Sequence, residues 1–307
     1  MGWIKVFSPA SIGNIGPGFD VLGVAISGIG DTIYARKISK GIMISEITGV
    51  ANGLPFQANS NTAGIAANEV LKLLKTKGGI EMKIVKGVPP ASGLGSSASS
   101  AAAGAFAANY LYGKKLTKEE LILPATIAES KVSGGFFADN TAPALLGGAT
   151  LTRNKQPLDV VKLGHIDDLV IVIARPEFKL LTKKARAVLP KKVEMNSFVS
   201  NMANSCLIAS AFSKNNYGLL SRCINDAIVE PARAHLIPGF KEVKKAAIGA
   251  GADGCSISGA GPSVFAITNK SKKAKKIGVA MKKAFAKKKL NSNFYVCRVH
   301  KKGTLLV

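Results

Sequence analysis

The chain has 307 residues, enough for two domains that each bury a core of their own. Apolar residues make up 47%, charged residues 20% and aromatics 6%, with 32 glycines, a composition that fits an α/β protein built from Ala, Val, Ile and Leu and excludes a disordered chain. The formal charge of +24, from 42 Lys and Arg against 18 Asp and Glu, admits a nucleic-acid surface, so the placement of the charge decides more than its total.

The N-terminus MGWIKVFSPAS has no apolar core of the signal-peptide kind, and Val6 stands where myristoylation needs Ser or Thr. No apolar run approaches membrane-spanning length, so the expected place is the cytoplasm, without a membrane partner. A strand is expected at Ile4–Phe7, followed by the turn-rich Ser8–Gly23, SPASIGNIGPGFDVLG, which carries Asn14 and Asp20. Next come a helix over Asn61–Lys75, a strand at Met82–Val85, a helix over Ser97–Tyr112, a helix over Thr117–Lys131 and a strand at Ala149–Thr152. Thr117 followed by Glu120 reads as a capping box at the start of its helix. The N-terminal half is thus mixed α/β, and a boundary near Asn154 divides the chain into 1–154 and 155–307.

Beyond Gly164 the pattern restarts with the strand Leu169–Ala174, helices to about Ala250, strands at Cys255–Ser258 and Ser263–Thr268, a lysine-rich helix and a last strand Phe294–Val299. Without the extra helices this is β-α-β-β-α-β, a ferredoxin-like order, and the fold class is α+β with two domains. Cys206, Cys223, Cys255 and Cys297 form no C-x-x-C pair, and with three histidines in the chain neither a zinc site nor a disulfide framework is expected. Ten lysines lie between Lys270 and Lys289, with Ala274, Ile277, Met281, Ala284 and Phe285 at helical spacing among them. That is an amphipathic helix with a solvated face, and without interleaved aromatics it supplies only nonspecific phosphate attraction. No specific nucleic-acid partner is expected.

The segment PPASGLGSSASS, Pro89–Ser100, carries the strongest chemical signal. Pro89 and Pro90 end the strand, Ala91 and Ser92 lead into a turn in which Gly93 and Gly95 flank Leu94, and Ser96, Ser97, Ala98 and Ser99 open the next helix. Glycines let the backbone approach a ligand, while the helix N-terminus and its hydroxyls favour an anion. No Lys follows the glycines, so this is not a Walker A loop. Gly93-x-Gly95-x-x-Ala98 matches the looser dinucleotide fingerprint, but the two prolines interrupt the strand that should feed the turn, and no acidic residue lies between Ser99 and Lys118. A third glycine-rich segment, SGAGPS at Ser258–Ser263, sits between two expected strands.

These three motifs, in this order, resemble the family of galactokinase, homoserine kinase, mevalonate kinase and phosphomevalonate kinase, over nearly the whole chain. Within it, ESKVSGGFFADNTAPALLGG at Glu129–Gly148, TKKARAVLP at Thr182–Pro190 and EPARAHLIPG at Glu230–Gly239 look like homoserine kinase segments. The resemblance implies an N-terminal domain with a left-handed β-α-β unit, an exception to the usual hand, and a ferredoxin-like C-terminal domain with the active site between them. It further implies ATP and Mg2+, a hydroxylated metabolite such as homoserine, mevalonate or shikimate as substrate, a homodimer, and a place in threonine biosynthesis.

The same resemblance assigns roles to residues. Ser97 and Glu129 would hold Mg2+, since phosphate-bound magnesium takes oxygen ligands; Asn61 and Lys86 would meet the nucleotide, although Asn61 also suits a helix cap. Homoserine is a zwitterion, so its carboxylate calls for Arg186 and Arg233 and its ammonium for Asp20, with Asn14, Asn140, Thr182 and Gly259 around it. Asp139 is the candidate base, in a reaction where a loose transition state can release the hydroxyl proton late. Homoserine kinases usually carry His two residues before the aspartate of this Asp-Asn pair, and Phe137 stands there. An apolar ring facing the pocket is expected in its place.

Overall fold

The computed structural model describes residues 2–50, 53–153 and 157–307. The boundary expected near Asn154 lies outside the described residues. The first sheet is built from β1 (Ile4–Gly13), β2 (Leu22–Ile38), β3 (Gly41–Gly49), β4 (Gly79–Lys86), β5 (Ala149–Arg153) and β6 (Asp159–Gly164). The second holds β7 (Val170–Pro176), β8 (Gly254–Ile257), β9 (Val264–Thr268) and β10 (Ser292–Cys297), and the last strand, β11 (Leu305–Leu306), returns to the first sheet beside β1. The first sheet therefore draws on 159–164 and 305–306 as well as on the N-terminal half.

The organising strand is β2. Over its 17 residues it pairs β1 along its length, β5 at Leu22–Val24 and β4 at Thr32–Ile38. The turn-rich reading of Ser8–Gly23 is corrected here: Ser8–Gly13 continues β1 and Leu22–Gly23 opens β2, leaving the true turn at Asn14–Val21. Pro9 is accommodated beside a break in register, where Pro9 faces Gly30 but Ala10 faces Ile26. β3 and β4 are parallel neighbours joined through helix α1 (Thr62–Leu73), which makes the expected β-α-β unit.

Three further helices belong with this sheet: α2 (Ser96–Leu111), α3 (Ile122–Ser133) and α4 (Thr141–Leu146). The α2 sequence SSASSAAAGAFAANYL is buried almost all round, as its run of small residues permits. At Gly104 a Cβ would strike the Ala63 backbone, so α1 and α2 pack at a separation that only glycine allows there. The Thr117 N–H donates to Glu120 Oε2 at 2.7 Å and the Glu120 N–H to Thr117 Oγ1 at 3.2 Å. These bonds close the turn that precedes α3 rather than its first helical residues, since the helix begins at Ile122.

The second sheet is antiparallel in the order β10-β7-β9-β8, the ferredoxin-like arrangement. Between β7 and β8 run α5 (Thr182–Ala187), α6 (Met195–Ser213), α7 (Tyr217–Leu220), α8 (Val229–Arg233) and α9 (Phe240–Gly249). The lysine helix is α10 (Ser271–Ala286), and it buries Ala274, Ile277, Met281, Ala284 and Phe285 against the same core as α9, as its spacing predicts. All four cysteines are free. No helix among the described residues is long and apolar enough to cross a membrane.

Candidate active site

The three glycine-rich motifs meet at one place. From the phosphate-type loop, the Leu94 carbonyl accepts from the Ser11 N–H at 3.2 Å, and the Gly93 carbonyl accepts from Ser258 Oγ at 2.6 Å. The Ser92 carbonyl accepts from the Ser263 N–H at 3.2 Å, and the Gly13 carbonyl from the Gly259 N–H at 3.0 Å. Gly93 and Gly95 have φ of +79° and +65°, and a Cβ on Gly93 would run into the Ser258 and Gly261 carbonyls. Glycine is required there both by conformation and by contact. Gly95 then serves as the N-cap of α2 without any side-chain cap, and Gly95, Ser96 and Ser97 line the cleft, which leaves uncapped amides at this helix start.

Beneath the loop lies a buried ion pair that the sequence did not disclose. The Lys86 ammonium pairs with Asp31 and also donates to the Ser96 carbonyl at 3.0 Å and Ser100 Oγ at 2.8 Å. Asp31 accepts in addition from the Gly87 and Val88 N–H groups at 3.1 and 3.0 Å and from Ser100 Oγ at 2.7 Å. Burial lowers the Lys86 pKa and Asp31 opposes that shift. With three acceptors for its three N–H bonds, Lys86 acts as a tie under the loop, while it also lines the cleft. Lys86→Met leaves Asp31 charged and buried, so a loss of about 3–5 kcal/mol in folding stability is expected. Urea unfolding of the variant checks this, and an unchanged midpoint would refute it.

Asn61 caps α1, with its Oδ1 accepting from the Ala63 N–H at 3.0 Å and its Nδ2 donating to the Pro55 carbonyl at 3.0 Å. It borders the cleft beside Leu54, Pro55 and Thr62. Glu129, on α3, accepts from Ser97 Oγ through Oε1 at 3.0 Å, while its buried Oε2 has no hydrogen-bond partner. A hydroxyl and a carboxylate with one unsatisfied oxygen, next to uncapped amides, are a hard-oxygen set of the kind Mg2+ accepts. Among the described residues no cluster of three or more His, Cys, Asp or Glu is placed to hold a metal, so phosphate and water oxygens would have to complete such a site.

At the other end of the same cleft, whose volume is about 650 Å³, lie Asn14, Asp20, Asp139, Asn140, Thr182, Arg186, Arg233 and Gly259. Asn14 and Asp20 both have positive φ, and the Asp20 N–H donates to Asn14 Oδ1 at 2.7 Å, which closes the turn between β1 and β2. Arg186, on α5, grips Asp20 with two parallel bonds of 2.9 and 2.8 Å. Arg233 is buried, and it donates from Nε to the Ala185 carbonyl and from Nη1 to the Gly259 carbonyl, both at 3.0 Å. Burial, then the charge of Arg186, lowers its pKa to about 10, so it stays a cation at neutral pH. Asn140 Oδ1 accepts from Ser11 Oγ at 3.0 Å. The aromatic rings of Phe19 and Phe137 lie over the Arg186 guanidinium, and Phe137 is the apolar ring that replaces the expected histidine.

Burial raises both acids of the site to about 7: Glu129 against the opposing Ser97 bond, and Asp139 with the charge of Asp20 adding to the shift. In the unfolded chain such carboxyls titrate near 4, so the folded state binds more protons between about pH 4 and 7, and stability falls as pH rises through that window. Asp139→Asn is expected to flatten the fall of melting temperature between about pH 4 and pH 7. An unchanged slope would contradict the burial argument.

Residues 61–148 match the GHMP kinases N terminal domain and residues 208–287 the GHMP kinases C terminal domain. The homoserine kinase of Chloroherpeton thalassium is 39% identical to this chain over 319 aligned positions that cover all of both proteins. The chain belongs to the homoserine kinases of the GHMP kinase family. The homoserine kinase of Arabidopsis thaliana is 44% identical, over 92% of this chain and 79% of its own. A crystal structure of homoserine kinase from Cytophaga hutchinsonii superposes with a TM-score of 0.94 at 43% identity, over 100% of this chain and 98% of that one. For a GHMP kinase, the two-domain fold and the convergence of the three glycine-rich segments are thereby accounted for together.

Some residues of this kinase site were not foreseen. Asp31 falls on the buried phase of the alternation Ile29, Asp31, Ile33, Ala35, and a lone charge there was the available signal. Phe19 adjoins Asp20 in sequence, yet nothing short of the fold sets its ring over Arg186 and Arg233, at 5.2 and 5.1 Å. Ser11 and Ser258 hold the motifs together and read as ordinary turn residues in the sequence.

Proposed function

We propose that this chain transfers the γ-phosphoryl group of ATP to the side-chain hydroxyl of L-homoserine, giving O-phosphohomoserine, as a step of threonine biosynthesis in the cytoplasm. The carrying observation is that the uncapped helix start at Gly95–Ser97 and the Asp20–Arg186–Arg233 cluster share one cleft. The loop and α2 N-terminus would bind the phosphates, and Asn61, with Leu54 and Pro55, would border the adenosine. Ser97 and Glu129 would hold Mg2+, which when bound neutralises charge on the phosphate oxygens.

The substrate end suits a zwitterion. Arg186 and Arg233 would take the carboxylate and Asp20 the ammonium, with Asn14 and Asn140 orienting the hydroxyl. Asp139, buried and raised to about 7, would accept the hydroxyl proton late in the transfer. We assign nucleotide binding chiefly to residues 1–154 and the closing wall of the cleft to residues 155–307, and we infer a homodimer from family membership. Coupled ADP release with Mg-ATP and a substrate panel tests the reading. Turnover is expected with homoserine and not with mevalonate or shikimate; the reverse pattern would keep a GHMP kinase and overturn the substrate.

A further inference from the structure

Arg186 has two kinds of partner. One is ionic: Asp20 takes both terminal nitrogens, at 2.9 and 2.8 Å, and the pair is partly open to solvent. The other is aromatic: the Phe137 ring centroid lies 4.1 Å from the guanidinium carbon, nearer than Phe19 at 5.2 Å, and Phe19 is shared with Arg233. A zwitterionic substrate competes for the first kind only, because its ammonium draws on Asp20 while its carboxylate needs the same guanidinium edge. A ring face attracts the cation through its π-cloud and uses none of the N–H donors, so it holds Arg186 without blocking the fork. The ring lies close against Gly135, where a Cβ would strike it.

We propose that Phe137, backed by Gly135, is a positioning residue that keeps Arg186 aimed at the substrate carboxylate while Asp20 exchanges its hold on Arg186 for the substrate ammonium. The inference rests on the zwitterion reading of the cleft given above. It assigns to an apolar side chain a contribution to homoserine affinity that its chemistry alone would not suggest, and it makes the face of the ring, not its bulk, the operative feature.

The test is steady-state kinetics with homoserine and ATP varied separately. Phe137→Leu keeps apolar volume and removes the ring, and it is expected to raise KM for homoserine about five- to thirtyfold, with KM for ATP unchanged and kcat lowered less than about threefold. Phe137→Tyr, which keeps the face, should remain near wild type. Gly135→Ala pushes the ring off the guanidinium and should follow Phe137→Leu. Wild-type turnover of homoserine, measured first, tests the functional reading by itself. With that turnover present, an unchanged KM in Phe137→Leu, or equal losses in Phe137→Leu and Phe137→Tyr, would overturn the role of Phe137 alone.

Discussion

Replacing Glu129 by glutamine is expected to lower kcat by about 10²- to 10³-fold, the size of effect seen when a group that stabilises transition-state charge is removed. The KM for homoserine should change by less than about threefold, because binding lost only in the transition state leaves ground-state affinity intact. Glutamine keeps the size of the side chain and an acceptor for Ser97 Oγ, which Glu129 now meets at 3.0 Å, so the local packing survives. What disappears is the ability to carry a negative charge on a buried oxygen that has no hydrogen-bond partner. Steady-state kinetics with Mg-ATP decide it. Equal effects on kcat and on homoserine KM would remove Glu129 from the phosphate end of the cleft.

Arg233→Ala should act at the opposite end and in the opposite way. Its guanidinium is buried and bonded to the Ala185 and Gly259 carbonyls, so alanine deletes the cation proposed to meet the substrate carboxylate and also strips two carbonyls of their donors. Homoserine KM is expected to rise by about 30- to 300-fold, in line with the loss of a charged hydrogen-bond partner. Folding stability should fall by about 1–3 kcal/mol for the unsatisfied carbonyls. ATP affinity should hold. A variant that loses ATP binding as well, with a native melting temperature, would contradict the division of the cleft into two ends.

Much of this site was legible because its chemistry is local in sequence. The loop Pro89–Ser100 declares itself through glycines placed where φ must be positive and through serines at a helix start, and the structure puts them there. The lysine helix was legible for the same reason, since a 3.6-residue period needs no knowledge of distant partners. The long strand β2 was not, because Gly23, Gly28, Gly30 and Asp31 interrupt its apolar alternation, and their reasons lie elsewhere. Gly23 passes under the Asp139 carbonyl, Gly30 under Phe7 and Ser8, and Asp31 answers Lys86 55 residues away. Lys86 and Arg186 both line the cleft, but their present partners, Asp31 and Asp20, are set by tertiary contacts that no spacing predicts.

The central claim is that one cleft brings the γ-phosphoryl group of ATP to the hydroxyl of a zwitterion. The most direct measurement is phosphorus NMR of the product formed from Mg-ATP and homoserine, with proton correlation to locate the ester. A single phosphomonoester coupled to the methylene protons beside the former hydroxyl, formed in step with ADP, is the predicted result. ADP accompanied only by inorganic phosphate, or no ADP at all, would contradict it.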